Sequence, residues 1–191
     1  MKFVDLDECP IPAYQNLNEF GNLWEFLAVR RPRNLLEIGS LYGGTLWYWS
    51  HLPTIERIVT IDLPSDWAAV ADEVRAARPL WAGWMTGIDF YDIEGDSHLP
   101  EILGRVQQIQ GVKFFDVAFI DGDHTEEGVR RDFELYAPLV KPGGVVAFHD
   151  TIPNGNRHEP GVVKFTRELQ WKYPSVEFFD PDGVGICAFV V

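Results

Sequence analysis

The stretch Asn34-Leu-Leu-Glu-Ile-Gly-Ser-Leu-Tyr-Gly-Gly-Thr45 decides the fold of this chain. An apolar run that ends in glycines predicts a buried strand, a sharp turn and then the start of a helix. The glycines at 39, 43 and 44 let the backbone turn tightly and let a ligand approach it closely. The helix that follows directs unpaired N–H groups and the positive end of its dipole at the same place. The pattern therefore predicts a cradle for a small polar or anionic molecule.

Strand and helix patterns alternate along the rest of the chain. Apolar and β-branched runs predict strands over 35–39, 57–62, 90–95, 115–121, 145–150, 176–179 and 185–191. Helical spacing predicts helices over 14–30, 45–51, 65–77, 99–110, 125–140 and 162–173, with a turn at 141–144. This alternation is typical of right-handed βαβ units in a doubly wound, mostly parallel sheet. The turn between the last two strands is too short for a parallel crossover, so they should be antiparallel to each other.

The charge balance limits the partners of this chain. Its 191 residues carry 16 Lys and Arg against 29 Asp and Glu, a net charge of −13. Nucleic acids and anionic membranes are bound by clustered basic residues, so neither is expected as a partner. Cys9 and Cys187 are too few for a disulfide framework. The acidic start and the lack of a run of about 18 apolar residues predict a cytoplasmic protein.

Acidic residues stand at the carboxyl ends of five predicted strands, and ligands of open α/β sheets bind at that edge. These ends hold residues 37–43, Asp62, 96–97, 121–124 and 149–150. Like charges crowded together repel each other unless a cation or ligand hydroxyls occupy the site. The alternative is that each acid merely forms a turn or caps a helix. The grouping favours a functional cluster.

The position of Asp62 favours a nucleoside-containing cofactor, because a carboxylate at the end of the second strand accepts hydrogen bonds from ribose hydroxyls. The glycine spacing from Gly39 to Gly43 differs from the G-x-G-x-x-G of dinucleotide enzymes. A nicotinamide-dependent oxidoreductase is therefore disfavoured.

Four motifs resemble those of class I S-adenosylmethionine-dependent methyltransferases. They are Glu37-Ile-Gly-Ser-Leu-Tyr-Gly43, Asp62, Gly95-Asp-Ser97 and Phe115-Asp-Val-Ala-Phe-Ile-Asp-Gly-Asp-His124. The last motif, continued through Lys141-Pro-Gly-Gly144 to His149-Asp150, is similar to small-molecule O-methyltransferases of the catechol, macrolide-sugar, cephalosporin-hydroxylase-associated and "methyltransferase 24" types. The resemblance covers about residues 33–151. It implies a Rossmann-like, seven-stranded sheet, mostly parallel with an antiparallel last strand.

The length of the chain and the lack of an internal repeat or linker predict one domain, residues 1–191, which we divide into three parts. Residues 1–31 would form an N-terminal arm and helix, and residues 33–151 the cofactor-binding core. Residues 152–191 would hold an acceptor loop, the last helix and the terminal pair of strands.

By the same resemblance, S-adenosylmethionine would be the cofactor. Glu37 would support the glycine turn or contact the amino group of the cofactor. Asp62 would bind the ribose, and Asp96 with Ser97 the adenine edge. The remaining cofactor contacts would be Gly39, Ser40, Tyr42, Gly43, Thr45 and Asp121.

Metal-dependent relatives bind a divalent cation through acids at the ends of the fourth and fifth strands. Those positions are Asp121 and Asp150 here, with His149 or Thr151 as a third ligand. Oxygen ligands would suit Mg²⁺, which stabilises an ionised acceptor hydroxyl. His124 is the leading candidate for the general base that removes the hydroxyl proton, and His149 is the second.

Several residues have a structural alternative. Asp123 and Glu126 form the pattern of a capping box, with Asp123 as the N-cap. His149 and Asp150 are adjacent on a strand, so their side chains should point to opposite faces unless the strand has ended. Trp24, Trp47 and Trp49 are expected in the core. We also predict that Trp81 and Trp84 cover the adenine or the acceptor, because the apolar residues of their segment show no helical or strand periodicity that would bury them. Loop 151–160, with Arg157 and His158, is predicted to cover the acceptor side.

Three functions fit these observations. The first is O-methylation of a small-molecule or sugar hydroxyl, with Mg²⁺ assisting. The second is metal-independent methylation of nitrogen or oxygen with a histidine base, and the third is a non-catalytic protein that binds S-adenosylmethionine. A partner subunit of a homo-oligomer would complete the pocket, because the short N-terminus offers few acceptor walls.

Overall fold

The computed structural model describes residues 3, 9–64, 71–109, 114–153 and 161–191. Within these residues the strands are β1 (Asn34–Ile38), β2 (Arg57–Asp62), β3 (Asp89–Glu94), β4 (Phe115–Ile120), β5 (Val140–His149), β6 (Ser175–Phe178) and β7 (Ile186–Val190). The helices are α1 (Leu17–Arg30), α2 (Gly44–Ser50), α3 (Ala71–Trp84), α4 (Pro100–Gln107), α5 (Glu126–Tyr136) and α6 (Gly161–Leu169). A short 3-10 helix, Ala137–Leu139, follows α5.

The strands form one sheet in the order β3-β2-β1-β4-β5-β7-β6. Strands β1 to β5 pair in parallel, whereas β7 is antiparallel to both β5 and β6. The predicted Rossmann-like sheet with its reversed last strand is therefore confirmed. The strand order changes direction between β1 and β4, whose last residues Ile38 and Ile120 lie side by side. This switch point is where an open α/β sheet binds its ligand.

Two hydrophobic layers cover the two faces of the sheet. Helices α1, α2 and α3 pack on one face and α4, α5 and α6 on the other. Alternation along β1 places Leu35 in the first layer and Leu36 in the second. The prediction that Trp24, Trp47 and Trp49 belong to the core is confirmed, since all three are buried.

The end predicted for α3 is wrong. The helix continues past Ala77 and through Pro79 to Trp84. Tertiary contacts outweigh the loss of one backbone hydrogen bond at the proline: the Arg78 guanidinium pairs with Asp92 on β3 at 2.5 Å, and Trp81 is fully buried. The predicted start of this helix lies in residues 65–70, outside the described part of the chain.

The turn predicted at 141–144 is also wrong, because β5 begins at Val140 and runs through this segment. The pairing of β5 with β4 shifts register between Phe115 and Val117, which accommodates the extra residues. Gly143 has a φ of +77° there, and its N–H donates to the Val191 carbonyl oxygen. Glycine takes this conformation without the cost that a side chain would add.

Helices α4, α5 and α6 end three or four residues earlier than predicted. Among the described residues, no helix combines the length and the apolar character that crossing a lipid bilayer requires.

Candidate functional site

The glycine turn between β1 and α2 has three residues in the left-handed region, Leu41 and two glycines. Gly39 has a φ of +86°, and a Cβ there would overlap the backbone carbonyl of Asp121 at the end of β4. Gly43 has a φ of +83° and is the N-cap of α2; a Cβ there would overlap the indole nitrogen of Trp81. Both positions therefore require glycine, and the turn is pressed between β4 and α3.

Glu37 supports the turn from inside the protein. It is fully buried, and its two carboxylate oxygens accept hydrogen bonds from Ser40 Oγ at 2.7 Å and from Trp49 Nε1 at 2.8 Å. Ser40 Oγ also contacts Thr60 Oγ1 on β2. Burial raises the pKa of Glu37 to about 7, although these hydrogen bonds favour the charged form. This placement matches the supporting role, one of the two predicted for Glu37.

Asp62, at the end of β2, binds the other side of the turn. Its Oδ2 accepts hydrogen bonds from the amides of Ser40 and Leu41 at 2.8 and 2.6 Å, and its Oδ1 accepts from Leu63 at 2.7 Å. Burial raises the pKa of Asp62 despite these bonds. The carboxylate thus joins β2 to the glycine turn at the edge where a nucleoside would lie.

The segment after β3 is tied to α5 by two residues that the sequence analysis missed. Ser97 Oγ donates to Asp132 at 2.6 Å, and the Tyr136 hydroxyl donates to the Ser97 carbonyl oxygen at 2.7 Å. Asp132 is fully buried, and burial raises its pKa to about 6. The sequence did contain a signal for Asp132: it is a charged residue on the apolar face of α5, the face on which Val129 and Tyr136 lie. Asp96 instead bonds within its own turn, to the amide of His98.

Two carboxylates and two imidazoles converge at the ends of β4 and β5. His124 Nε2 lies 3.3 Å from Asp121 Oδ1 and 3.4 Å from Asp150 Oδ2. His149 Nδ1 lies 3.2 Å from the same Asp121 oxygen and 3.1 Å from the same Asp150 oxygen. The ligand atoms of Asp121, His124 and Asp150 all lie within 4.8 Å of one another. The residues predicted to bind metal or act as bases thus form a single group, which we call the strand-end cluster.

The backbone after β5 makes this convergence possible. The strand ends at His149, and Asp150 takes a left-handed φ of +58°. The two adjacent side chains therefore contact each other, and His149 also contacts Asp121, instead of pointing to opposite faces as they would on a continuing strand. A left-handed aspartate costs some conformational energy, and such strain is concentrated at functional sites.

The charges in the cluster support one another. Burial alone would raise the pKa of Asp121, but His149 and His124 hold it well below its usual range. Burial opposes a charge on His149, yet Asp121 and Asp150 raise its pKa to about 10. His149 is buried, whereas half of the His124 side chain is exposed. His124 is therefore the member of the cluster that solvent reaches most easily.

Three further predicted residues lie beside the glycine turn or the strand-end cluster. Thr45 is buried in the first turn of α2, and Tyr42 packs its ring on Tyr14 at 5.2 Å between centroids. Thr151 directly follows the cluster and is half-buried. Arg157 and His158, in the predicted acceptor loop, lie outside the described residues.

Two further sequence interpretations are wrong. Thr125, not Asp123, is the N-cap of α5, because its Oγ1 accepts from the Gly128 amide at 3.0 Å. Trp81 does not cover a ligand: it is fully buried beneath the turn, and its indole N–H donates to the Tyr42 carbonyl oxygen at 2.8 Å. Trp84 packs half-buried against the same hydrophobic layer.

Comparison with known families agrees with this geometry. The family model described as "Methyltransferase domain", Methyltransf_24, matches residues 36–151, which run from β1 to just past the strand-end cluster. This chain belongs to that methyltransferase family. The family resemblance inferred from the four motifs is thereby confirmed.

Relatives of this methyltransferase domain include a rhamnosyl O-methyltransferase from Mycobacterium bovis, 25% identical over 79% of the chain. The chain spans 59% of that relative's length and 19% of the length of an uncharacterized relative from Sinorhizobium fredii.

Two solved structures share its fold. The O-methyltransferase TomG from Streptomyces achromogenes, in complex with S-adenosylmethionine, aligns with a TM-score of 0.66 and 23% identity over 96% of this chain and 82% of its own. An O-methyltransferase from Bacillus cereus, in complex with S-adenosylhomocysteine, aligns with a TM-score of 0.64 and 21% identity over 97% of this chain and 87% of its own.

Proposed function

We propose that this domain transfers a methyl group from S-adenosylmethionine to a hydroxyl of a small molecule, with a divalent cation bound beside the acceptor. The observation that carries the proposal is the strand-end cluster, which lies directly against the glycine turn. Gly39 of the turn and Asp121 of the cluster are in backbone contact, so a cofactor on one borders an acceptor on the other. Methyl transfer needs that adjacency, because the acceptor oxygen must be in line with the methyl carbon and the sulfur.

The cofactor would lie along the carboxyl edge of β1, β2 and β3. The turn offers the amide-rich start of α2, and Asp62 is at the position where a carboxylate accepts ribose hydroxyls. Ser97 would orient the adenine-side segment, because its hydroxyl is already bonded to Asp132. Complexes of TomG with S-adenosylmethionine and of the B. cereus enzyme with S-adenosylhomocysteine support the assignment.

The donor set of the cluster fits a divalent cation. Asp121 and Asp150 supply carboxylate oxygens, and His124 supplies a ring nitrogen within the same small space. His149 Nε2 is buried, and no donor or acceptor for it is found among the described residues. A mixed set of oxygen and imidazole ligands suits Mn²⁺ or another transition-metal ion better than Mg²⁺. When bound, such a cation favours the ionised form of a hydroxyl that it contacts.

The residues of the cluster would divide the remaining work. A phenol is ionised about one part in a thousand at neutral pH, a deficit of roughly 4 kcal/mol, and an aliphatic hydroxyl is worse. Where no cation is bound, as in the metal-independent alternative, the half-exposed His124 is placed to take the hydroxyl proton at Nε2, because a ring nitrogen that binds the cation has no free electron pair for that proton. The buried His149 would orient the two carboxylates between which its Nδ1 lies.

The acceptor class we favour is a sugar or phenolic hydroxyl. The rhamnosyl O-methyltransferase of M. bovis is named for a sugar acceptor, and its sequence aligns with 79% of this chain. A cytoplasmic location and a homo-oligomer that completes the acceptor pocket remain predictions.

The cation site is tested by titrating the protein with Mn²⁺ and measuring the bound ion by electron paramagnetic resonance. We expect wild type to bind Mn²⁺ and Asp150→Asn to bind it at least tenfold more weakly, because a charged ligand is lost. Asp72→Asn is the matched control, since the Asp72 side chain is 93% exposed on α3. Equal Mn²⁺ affinity in wild type and Asp150→Asn would contradict the cation site.

A methyl-transfer assay distinguishes the cation-assisted mechanism from the metal-independent alternative. Radiolabelled methyl transfer from S-adenosylmethionine to a methyl rhamnoside or a catechol should stop on chelation and return with Mn²⁺. Transfer that persists in chelator and in Asp150→Asn would favour the histidine-base mechanism. Cofactor binding without transfer to any acceptor would favour the non-catalytic binding protein.

A further inference from the structure

The segment before α1 lies against the glycine turn. A Cβ on Gly44 would overlap the Pro12 carbonyl and the backbone of Ala13, so the two segments are in contact. The rings of Tyr14 and Tyr42 then pack together at 5.2 Å. Residues 12–15, which we call the arm, therefore run along the turn, from the start of α2 toward the end of β4.

Gln15 carries the arm into the strand-end cluster. Its Nε2 donates to Asp121 Oδ2 at 2.9 Å, a contact between residues 106 positions apart. Because an ionised carboxylate only accepts hydrogen bonds, the amino side of the carboxamide must face Asp121 and the oxygen must face away from it. That oxygen, Oε1, is buried, and no donor for it is found among the described residues.

The backbone on both sides of Gln15 holds its position. Tyr14 has a left-handed φ of +50°, which is unfavourable for an aromatic residue. Asn16 is the N-cap of α1, and its side chain accepts from the amides of Asn18 and Glu19. Gln15 is half-buried, and a buried carboxamide oxygen without a donor costs free energy unless a ligand supplies one, so the fixed placement of Oε1 indicates a binding role.

The two oxygens of Asp121 separate two kinds of ligand. Oδ1 faces His124 and His149, on the cation side, whereas Oδ2 faces Gln15, on the side of the arm and the turn. A ligand group on the Oδ2 side that donates hydrogen bonds would meet two acceptors, the Asp121 carboxylate and Gln15 Oε1. A protonated amino group, with three donors, matches that pair.

We propose that Gln15 is a cofactor-binding residue whose Oε1 accepts a hydrogen bond from the protonated amino group of S-adenosylmethionine. This inference rests on the proposed function, because it requires the cofactor to lie in the turn. It extends the site to the arm, and the carboxamide also fixes the orientation of Asp121.

The test is calorimetric titration of the full chain with two ligands. S-adenosylhomocysteine carries the amino-acid end, and 5′-methylthioadenosine has the nucleoside and thioether without it. For Gln15→Leu we expect affinity for S-adenosylhomocysteine to fall about tenfold or more, from the loss of a charge-assisted hydrogen bond. Affinity for 5′-methylthioadenosine should be unchanged, which also shows that the variant is folded.

Asn18→Leu is the matched control. The Asn18 carboxamide donates to Asp180 at 2.6 Å and makes no contact with the strand-end cluster among the described residues, so both ligands should bind Asn18→Leu as they bind wild type. Unchanged S-adenosylhomocysteine affinity in Gln15→Leu, or an equal loss for both ligands, would overturn the inference while leaving the proposed function in place. If wild type binds neither ligand, the proposed function fails and the inference fails with it.

Discussion

At the scale of single residues, the site depends on buried carboxylates whose surroundings set their charge. Glu37 lies in a pocket of the protein's own donors, whereas Asp121 is flanked by two imidazoles. Burial raises the pKa of Glu37 to about 7 although these donors favour the charged form, whereas the two imidazoles hold the pKa of Asp121 well below its usual range. The identity of both residues was readable in the sequence, but the opposite shifts of their pKa values follow from burial and from neighbours that are distant along the chain.

The first prediction concerns Glu37 and pH. The unfolded carboxyl ionises near pH 4.5, but in the folded protein its pKa is raised to about 7. Between these values the folded state binds more protons, so the free energy of unfolding falls as pH rises, by about 3 kcal/mol in all. Glutamine keeps the shape of the protonated acid and its bonds to Trp49 and Ser40.

We therefore expect Glu37→Gln to melt at a higher temperature than wild type at pH 8 and at nearly the same temperature near pH 4.5. Differential scanning calorimetry across this range measures it. Glu25→Gln, on the exposed face of α1, is the control and should follow wild type throughout. Parallel curves for Glu37→Gln and wild type would show that the pKa of Glu37 is not raised in the folded protein.

At the scale of elements, most strands could be predicted from short apolar runs, and β2 was predicted to the residue. The carboxyl half of α3 could not, because Pro79 and Gly83 within the helix are local signals for a break. What holds the helix there is non-local: Arg78 pairs with Asp92, and Trp81 packs under Gly43. The contact of Gln15 with Asp121 escaped prediction for the same reason.

The second prediction follows from the place of Trp81. Because the indole is fully buried and bonded to the Tyr42 carbonyl, Trp81→Ala should lower the free energy of unfolding by about 3–5 kcal/mol. Chemical denaturation measures this loss. Trp171, 93% exposed, is the matched control, and Trp171→Ala should change stability little. Weakened ligand binding in Trp81→Ala without loss of stability would restore the earlier interpretation that this tryptophan covers a ligand.

At the scale of the whole molecule, strand order decides where the chemistry lies. Parallel β1 to β5 bring the turn, Asp62, Asp121 and Asp150 to one edge of the sheet, although these residues are far apart in sequence. The alternation of strands and helices was enough to predict that edge. It was not enough to predict the left-handed backbone at Asp150, which lets His149 and Asp150 meet.

The central claim is that this edge binds S-adenosylmethionine, and calorimetric titration of wild type and Asp62→Ala with S-adenosylhomocysteine tests it most directly. We expect micromolar binding to wild type, about −8 kcal/mol, and at least tenfold weaker binding to Asp62→Ala, because the ribose loses its carboxylate. Asp89→Ala, at the opposite end of the sheet on β3, should bind as wild type does. No heat with wild type, or equal affinity in wild type and Asp62→Ala, would contradict the account.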